Sequence, residues 1–167
     1  MAEIHAGTEA GNGEANPVVV QLPADASGLP SIQSITEWVR AALARVPRGA
    51  PAGEVVVRAE DADEMARLNA DFRGKEAPTN VLSFPADLPP GPWEPVLGDV
   101  VLCPQVVDRE AADQGKTVEA HWAHMVVHGT LHLVGYDHQE TAEAEAMEGL
   151  ERRILDGLGY DDPYAEE

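Results

Sequence analysis

Apolar residues recur along this chain in two rhythms. Val18-Val19-Val20 with Leu22, Glu54-Val55-Val56-Val57-Arg58, Asn80-Val81-Leu82-Ser83-Phe84 and Asp99-Val100-Val101-Leu102 are short, valine-rich runs that suit buried strands. Pro85 ends the third run, and the Pro-rich loop from Leu88 to Pro95 is too long and irregular for a plain hairpin turn. Elsewhere the apolar spacing lengthens to three and four. Ile32, Ile35, Trp38, Val39 and Leu43 share a helical face, with Ser31 placed to cap its start and Pro47 to stop it. Asp61 or Asp63 can cap a second helix whose Met65 and Leu68 face inward. Pro104 suits the first turn of a third helix. Thr117 can cap a long apolar and histidine-rich helix over 118–134, with Glu119 favourably placed in its first turn. A last helix covers about 140–157 and ends at Gly157 or Gly159. Few strands mixed with many helices predict an α+β fold: a small mixed sheet of about four strands covered by helices.

Length and composition narrow this picture. The 167 residues fit one domain, with 44% hydrophobic and 25% charged positions, both ordinary for a globular chain. Residues 1–16, rich in Gly, Ala and Glu, read as a flexible leader; 17–160 form a single domain, and 161–167 an acidic tail. No apolar run approaches the roughly 20 residues that span a bilayer. The start has no basic stretch followed by an apolar one, which argues against a secretory signal and for a cytoplasmic protein. Cys103 is the only cysteine, so an intrachain disulfide and a cysteine-based zinc site are both excluded.

The formal net charge of -19 should repel polyanions at long range. Much of it comes after His138, from Glu140, Glu143, Glu145, Glu148, Glu151, Asp156, Asp161, Asp162, Glu166 and Glu167. That stretch reads as a solvated helix face followed by a tail. Net charge therefore counts against nucleic acid without deciding a local site.

The chemistry concentrates in His128-Gly129-Thr130-Leu131-His132-Leu133-Val134-Gly135-Tyr136-Asp137-His138. Helix positions i and i+4 differ by only about 40° around the axis, so His128 and His132 point the same way. A continuing helix would carry His138 about 240° further round. Gly135 permits the chain to turn back instead, through a positive φ. Two helical ligands, a glycine break and a third ligand predict one bound metal ion, and zinc held by three protein ligands keeps a catalytic position open. Metzincin peptidases share the spacing H-E-x-x-H-x-x-G-x-x-H, but Gly129 stands where their general base stands and cannot take a proton. His121, His124 and His128 share a helix face, which makes His124 a candidate partner or proton carrier near the metal, or a packing histidine. Asp137 either orients an imidazole or caps the turn, and Asp99 either supports the site or starts a strand.

Together with His121-Trp122-Ala123-His124, Leu97-Gly98-Asp99-Val100 and the block from Arg73-Gly74-Lys75-Glu76 through Pro78-Thr79-Asn80 to Pro85, this segment resembles the bacterial YbeY family over roughly residues 55–164. The resemblance implies a single-strand-specific metallo-endoribonuclease acting in 16S rRNA 3′-end maturation and ribosome quality control. It also implies a zincin-like fold, one Zn2+ per chain on His128, His132 and His138, and Arg73 as the family's functional arginine. Read as residues, Arg73 and Lys75 flank Gly74 in a loop suited to phosphate contact, since a guanidinium binds phosphate in a bidentate fashion. The catalytic candidates are thus Arg73 and His128, and the substrate-binding candidates Arg73 and Lys75; Thr79, Asn80 and Ser83 shape the loop or touch RNA. Expected partners are single-stranded rRNA and the ribosome or its small-subunit proteins, with no membrane. The competing readings are a zinc hydrolase of another class and a non-catalytic ribosome-assembly factor with a structural zinc.

Overall fold

The computed structural model describes residues 4–9, 15–86, 91–92 and 95–165. Along the chain these are β1 (Ile4–Glu9), β2 (Val18–Pro23), α1 (Ile32–Ala44), β3 (Glu54–Ala59), α2 (Ala62–Arg73), β4 (Val81–Pro85), β5 (Val96–Leu102), α3 (Pro104–Gln114), α4 (Val118–Leu133) and α5 (Thr141–Gly157). The Pro-rich loop of 88–95 lies mostly outside the described residues. None of the described helices is long and apolar enough to cross a membrane.

The strands order as β1-β2-β3-β5-β4 in one mixed sheet, parallel for β2–β3 and β3–β5 and antiparallel at both edges. β2 buries Val18, Val20 and Leu22, and β3 buries Val55 and Val57, the alternation of strands covered on one face. β5 differs: Val100, Val101 and Leu102 are all fully buried in succession, so both faces are covered there. Val100 and Leu102 join the main core with α1, α4 and α5, while Val101 packs with Met65 of α2, Leu82 of β4 and Val106 of α3.

Local signals set the helix starts. Ser31 Oγ accepts from the Ser34 N–H (3.0 Å), Asp61 Oδ1 from Glu64 (2.8 Å) and Thr117 Oγ1 from Ala120 (3.1 Å), so Asp61 rather than Asp63 caps α2. Residues 121–127 of α4 are buried without a break, and the helix runs through the middle of the molecule against α1, α3, α5, β4 and β5.

The α+β class and the mixed sheet are as expected, and the described sheet has five strands against the expected about four. The fifth comes from the first sixteen residues, expected as a flexible leader: Ile4–Glu9 pairs antiparallel with Val18–Pro23 along its whole length. Its sequence, IHAGTE, is too polar to announce a strand. Edge pairing needs only backbone donors and acceptors, so side-chain pattern gives little warning of it.

Candidate metal centre

His128 and His132 project from one face of α4 with their Nε2 atoms 3.1 Å apart. Beyond Val134 the helix closes in a reciprocal pair of bonds, Gly135 N–H to His132 O (3.1 Å) and Tyr136 N–H to Leu131 O (3.1 Å), the Schellman arrangement. Gly135 takes φ 102°, which a residue with a Cβ adopts only under strain. The chain then reverses, and Asp137 Oδ1 accepts from the His138 backbone N–H (2.7 Å) to hold the turn. His138 arrives with its ring centre 5.1 Å from that of His132 and 5.6 Å from that of His128. One ligand nitrogen from each histidine lies within 4.8 Å of the others.

Behind His128 sits Glu151, on α5 and fully buried. Its Oε2 lies 2.9 Å from His128 Nδ1 and 3.2 Å from His124 Nε2, and Tyr164 donates its hydroxyl to Oε1 at 2.6 Å. Burial alone would push this carboxyl up, but the bonds from His124 and His128 outweigh it and hold Glu151 at about 2. The ionised carboxylate only accepts, so His128 carries its proton on Nδ1 and leaves the Nε2 lone pair facing His132. Burial first, then His128 and His138, push His132 down to about 4, leaving it neutral near pH 7. Burial and the bond to Glu151 raise the Tyr164 hydroxyl, which stays a donor. Imidazoles converging on one point, one of them oriented by a carboxylate, are a donor set zinc takes. His128, His132 and His138 therefore fit a single zinc ion.

The three histidines line a cleft of about 770 Å³ with Phe72 and Arg73 from the end of α2 and Asn80 and Ser83 from the β4 region. Arg73 is exposed and lies in the same cleft as the three histidines. Lys75, exposed two residues on, is not part of the lining. Nor is His124, which is buried with its Nε2 turned to Glu151 and Tyr164. Asn80 gives its amide N–H to Glu110, which also holds His121 (2.9 Å). Ser83 Oγ donates to Gly129 O (2.8 Å). Asp99 pairs with Arg58 at 3.3 Å and is not among the residues lining the cleft. A larger hollow, about 960 Å³, lies by Lys116 and Tyr160–Pro163; none of the three clustered histidines lines it.

Gly129 has a structural reason of its own. A Cβ there would meet Val100 Cγ1 at 2.6 Å, Val81 Cγ2 at 3.1 Å and Ser83 Oγ at 3.2 Å. The place of the peptidase glutamate is thus where α4 presses on β4 and β5, and no side chain fits there unless the Val100 side chain shifts.

A family model described as endoribonuclease YbeY matches residues 26–159. A protein of Alkalilimnicola ehrlichii named endoribonuclease YbeY is 58% identical over 140 residues, which cover 83% of this chain and 84% of that protein. The chain belongs to the YbeY family. Among solved structures, a solution structure of a Thermotoga maritima protein covers 89% of this chain and 99% of its own at a TM-score of 0.50; at 24% identity this is a likeness of fold. The YbeY match begins nearer the N-terminus than the motif blocks do, taking in α1 as well.

Two residues of the site escaped sequence reasoning. From the sequence Glu151 reads as one carboxylate of a solvated helix face, yet its side chain is only 1% exposed. Its signal was position: it shares a helical stripe with Met147, Leu150, Ile154 and Leu155, all buried. Tyr164 falls in the stretch set apart as an acidic tail. There Asp162 Oδ1 accepts from the Tyr164 N–H (2.8 Å) and pairs with Arg152 (3.2 Å), whose guanidinium lies 5.2 Å from the centre of the Tyr164 ring.

Proposed function

We propose that this chain is a zinc-dependent endoribonuclease that cleaves single-stranded RNA in the cleft shared by Arg73 and the histidine cluster. The observation that carries this reading is the meeting, in one cleft, of three converging histidines and an exposed arginine from a different element. The name of the Alkalilimnicola relative points the same way.

Each residue has a definable task. His128, His132 and His138 would hold the ion, with Glu151 fixing the His128 ring. When bound, zinc supplies Lewis acidity to the phosphoryl group. Arg73 binds the phosphate and offsets the charge that grows on its oxygens. His124 lies off the cleft against Glu151, so it is a poor acceptor for a proton from the RNA 2′-hydroxyl, and direct attack by water is the favoured route. Products ending in a 2′,3′-cyclic phosphate would contradict that route. Gly129, pressed against Val100, leaves a peptidase without its base.

The physiological reaction proposed is 16S rRNA 3′-end maturation and ribosome quality control in the cytoplasm. With a net charge of -19, contact with basic small-subunit ribosomal proteins suits the surface better than broad contact with RNA. The test is cleavage of single-stranded rRNA by the metal-loaded wild type, Arg73→Ala and a His128→Ala/His132→Ala double variant. The wild type should cleave, Arg73→Ala should lose about 100-fold or more, and the double variant should be inactive. Equal residual cleavage in all three marks a contaminating nuclease and ends the proposal. Metal bound without any cleavage would favour an assembly factor.

A further inference from the structure

Two large apolar side chains are markedly exposed among the described residues, and one of them, Phe72 at 53%, stands in the wall of the metal cleft. Its ring leans on that of Phe84, with centres 4.6 Å apart and planes tilted by 59°. Phe84 is in turn packed against the second core cluster, around Met65, Leu82 and Val101. Phe72 is therefore braced from behind by a ring anchored in the fold, while about half of it remains open. It directly precedes Arg73 at the end of α2, and both line the cleft.

The electrostatics of the cleft give this ring a purpose. Arg73 is the only lysine or arginine among the described residues lining it, and Asp137 offsets that charge. The chain as a whole carries -19. Binding of RNA through phosphate contacts and counterion release is therefore weak here, because that contribution grows with the number of phosphates neutralised. Stacking of a base on an aromatic ring needs no charge and tolerates any sequence.

We propose that Phe72 is the base-stacking platform of the cleft: an unpaired nucleobase of the RNA lies on its ring while a neighbouring phosphate meets Arg73. The inference rests on the ribonuclease reading and deepens it. It also supplies a physical source of single-strand selectivity. In a duplex each base is already stacked on both faces and has no free surface to offer, whereas an unpaired nucleotide does.

The test combines protein and substrate changes, using metal-loaded full-length chain and a single-stranded oligoribonucleotide. Phe72→Leu, a change at a half-exposed position, keeps the fold by circular dichroism and raises KM about tenfold, with the loss falling on KM rather than kcat. Phe72→Trp restores or lowers KM. Abasic nucleotides are placed in turn around the cleaved bond. At one position the missing base raises the wild-type KM by a similar factor and adds little to the Phe72→Leu defect. A wild-type KM for Phe72→Leu, or abasic penalties that add in full to its defect, overturns the platform while leaving the ribonuclease reading intact. A wild type that cleaves no RNA overturns both.

Discussion

Glu151 Oε2 lies 2.9 Å from Nδ1 of His128, joining the buried side of α5 to the first histidine of the cluster on α4. The carboxylate takes donors from His124, His128 and Tyr164, so a charge with no exposure to water is compensated by three hydrogen bonds. The same contact fixes which nitrogen of His128 is free to bind a metal.

Glu151→Gln keeps the volume and removes the charge. It is expected to weaken zinc binding about 10- to 100-fold, the usual effect of losing a partner behind a ligand. Competition against a chromogenic chelator measures this, and wild-type affinity would show that Glu151 does not act through His128.

Tyr164→Phe deletes one donor to that carboxylate. The metal-free variant should lose about 1.5 kcal/mol in urea unfolding, the low end for a hydrogen bond to a charged group. In a Glu151→Gln background the loss should shrink, because the two residues share one interaction. Full additivity would contradict the contact.

Gly129→Ala places a methyl group 2.6 Å from Val100 Cγ1. The expected destabilisation is about 1–3 kcal/mol, smaller when Val100→Ala has already removed the opposing methyl groups. A neutral Gly129→Ala would mean that α4 does not press on the sheet there.

His132 sets a pH dependence. Burial, reinforced by His128 and His138, holds it at about 4 against an ordinary 6.5. Between those values the unfolded chain binds more protons than the folded one, so stability rises with pH. The metal-free protein is expected to keep this contribution above pH 6.5 and lose it progressively as pH falls toward 4. Thermal melting of wild type and His132→Ala over that range checks the sign; identical slopes would rule out His132 as the group responsible.

What the sequence disclosed depended on whether the physics is local. His128, His132 and Gly135 obey helical period and turn chemistry, so their convergence is legible in the sequence. The caps at Ser31 and Thr117 were legible for the same reason. Val100 and Leu102 announced a buried strand, although not that Val101 between them would face a second cluster. Glu151 and Tyr164 were hidden because a carboxylate and a phenol in an acidic stretch look the same whether solvated or folded onto a histidine. β1 was hidden because edge pairing is a matter of backbone. Phe72 reads as one more apolar helix residue until the structure shows half of it open beside Arg73.

His128, His132 and His138 are proposed to hold one metal ion. Elemental analysis of the zinc-loaded chain after dialysis tests it most directly. The wild-type chain should retain about one zinc, by the three-ligand arrangement of an open zinc site, and a folded His128→Ala/His132→Ala/His138→Ala variant near zero. Full zinc retention by that triple variant would place the metal elsewhere and rule out the three-histidine site.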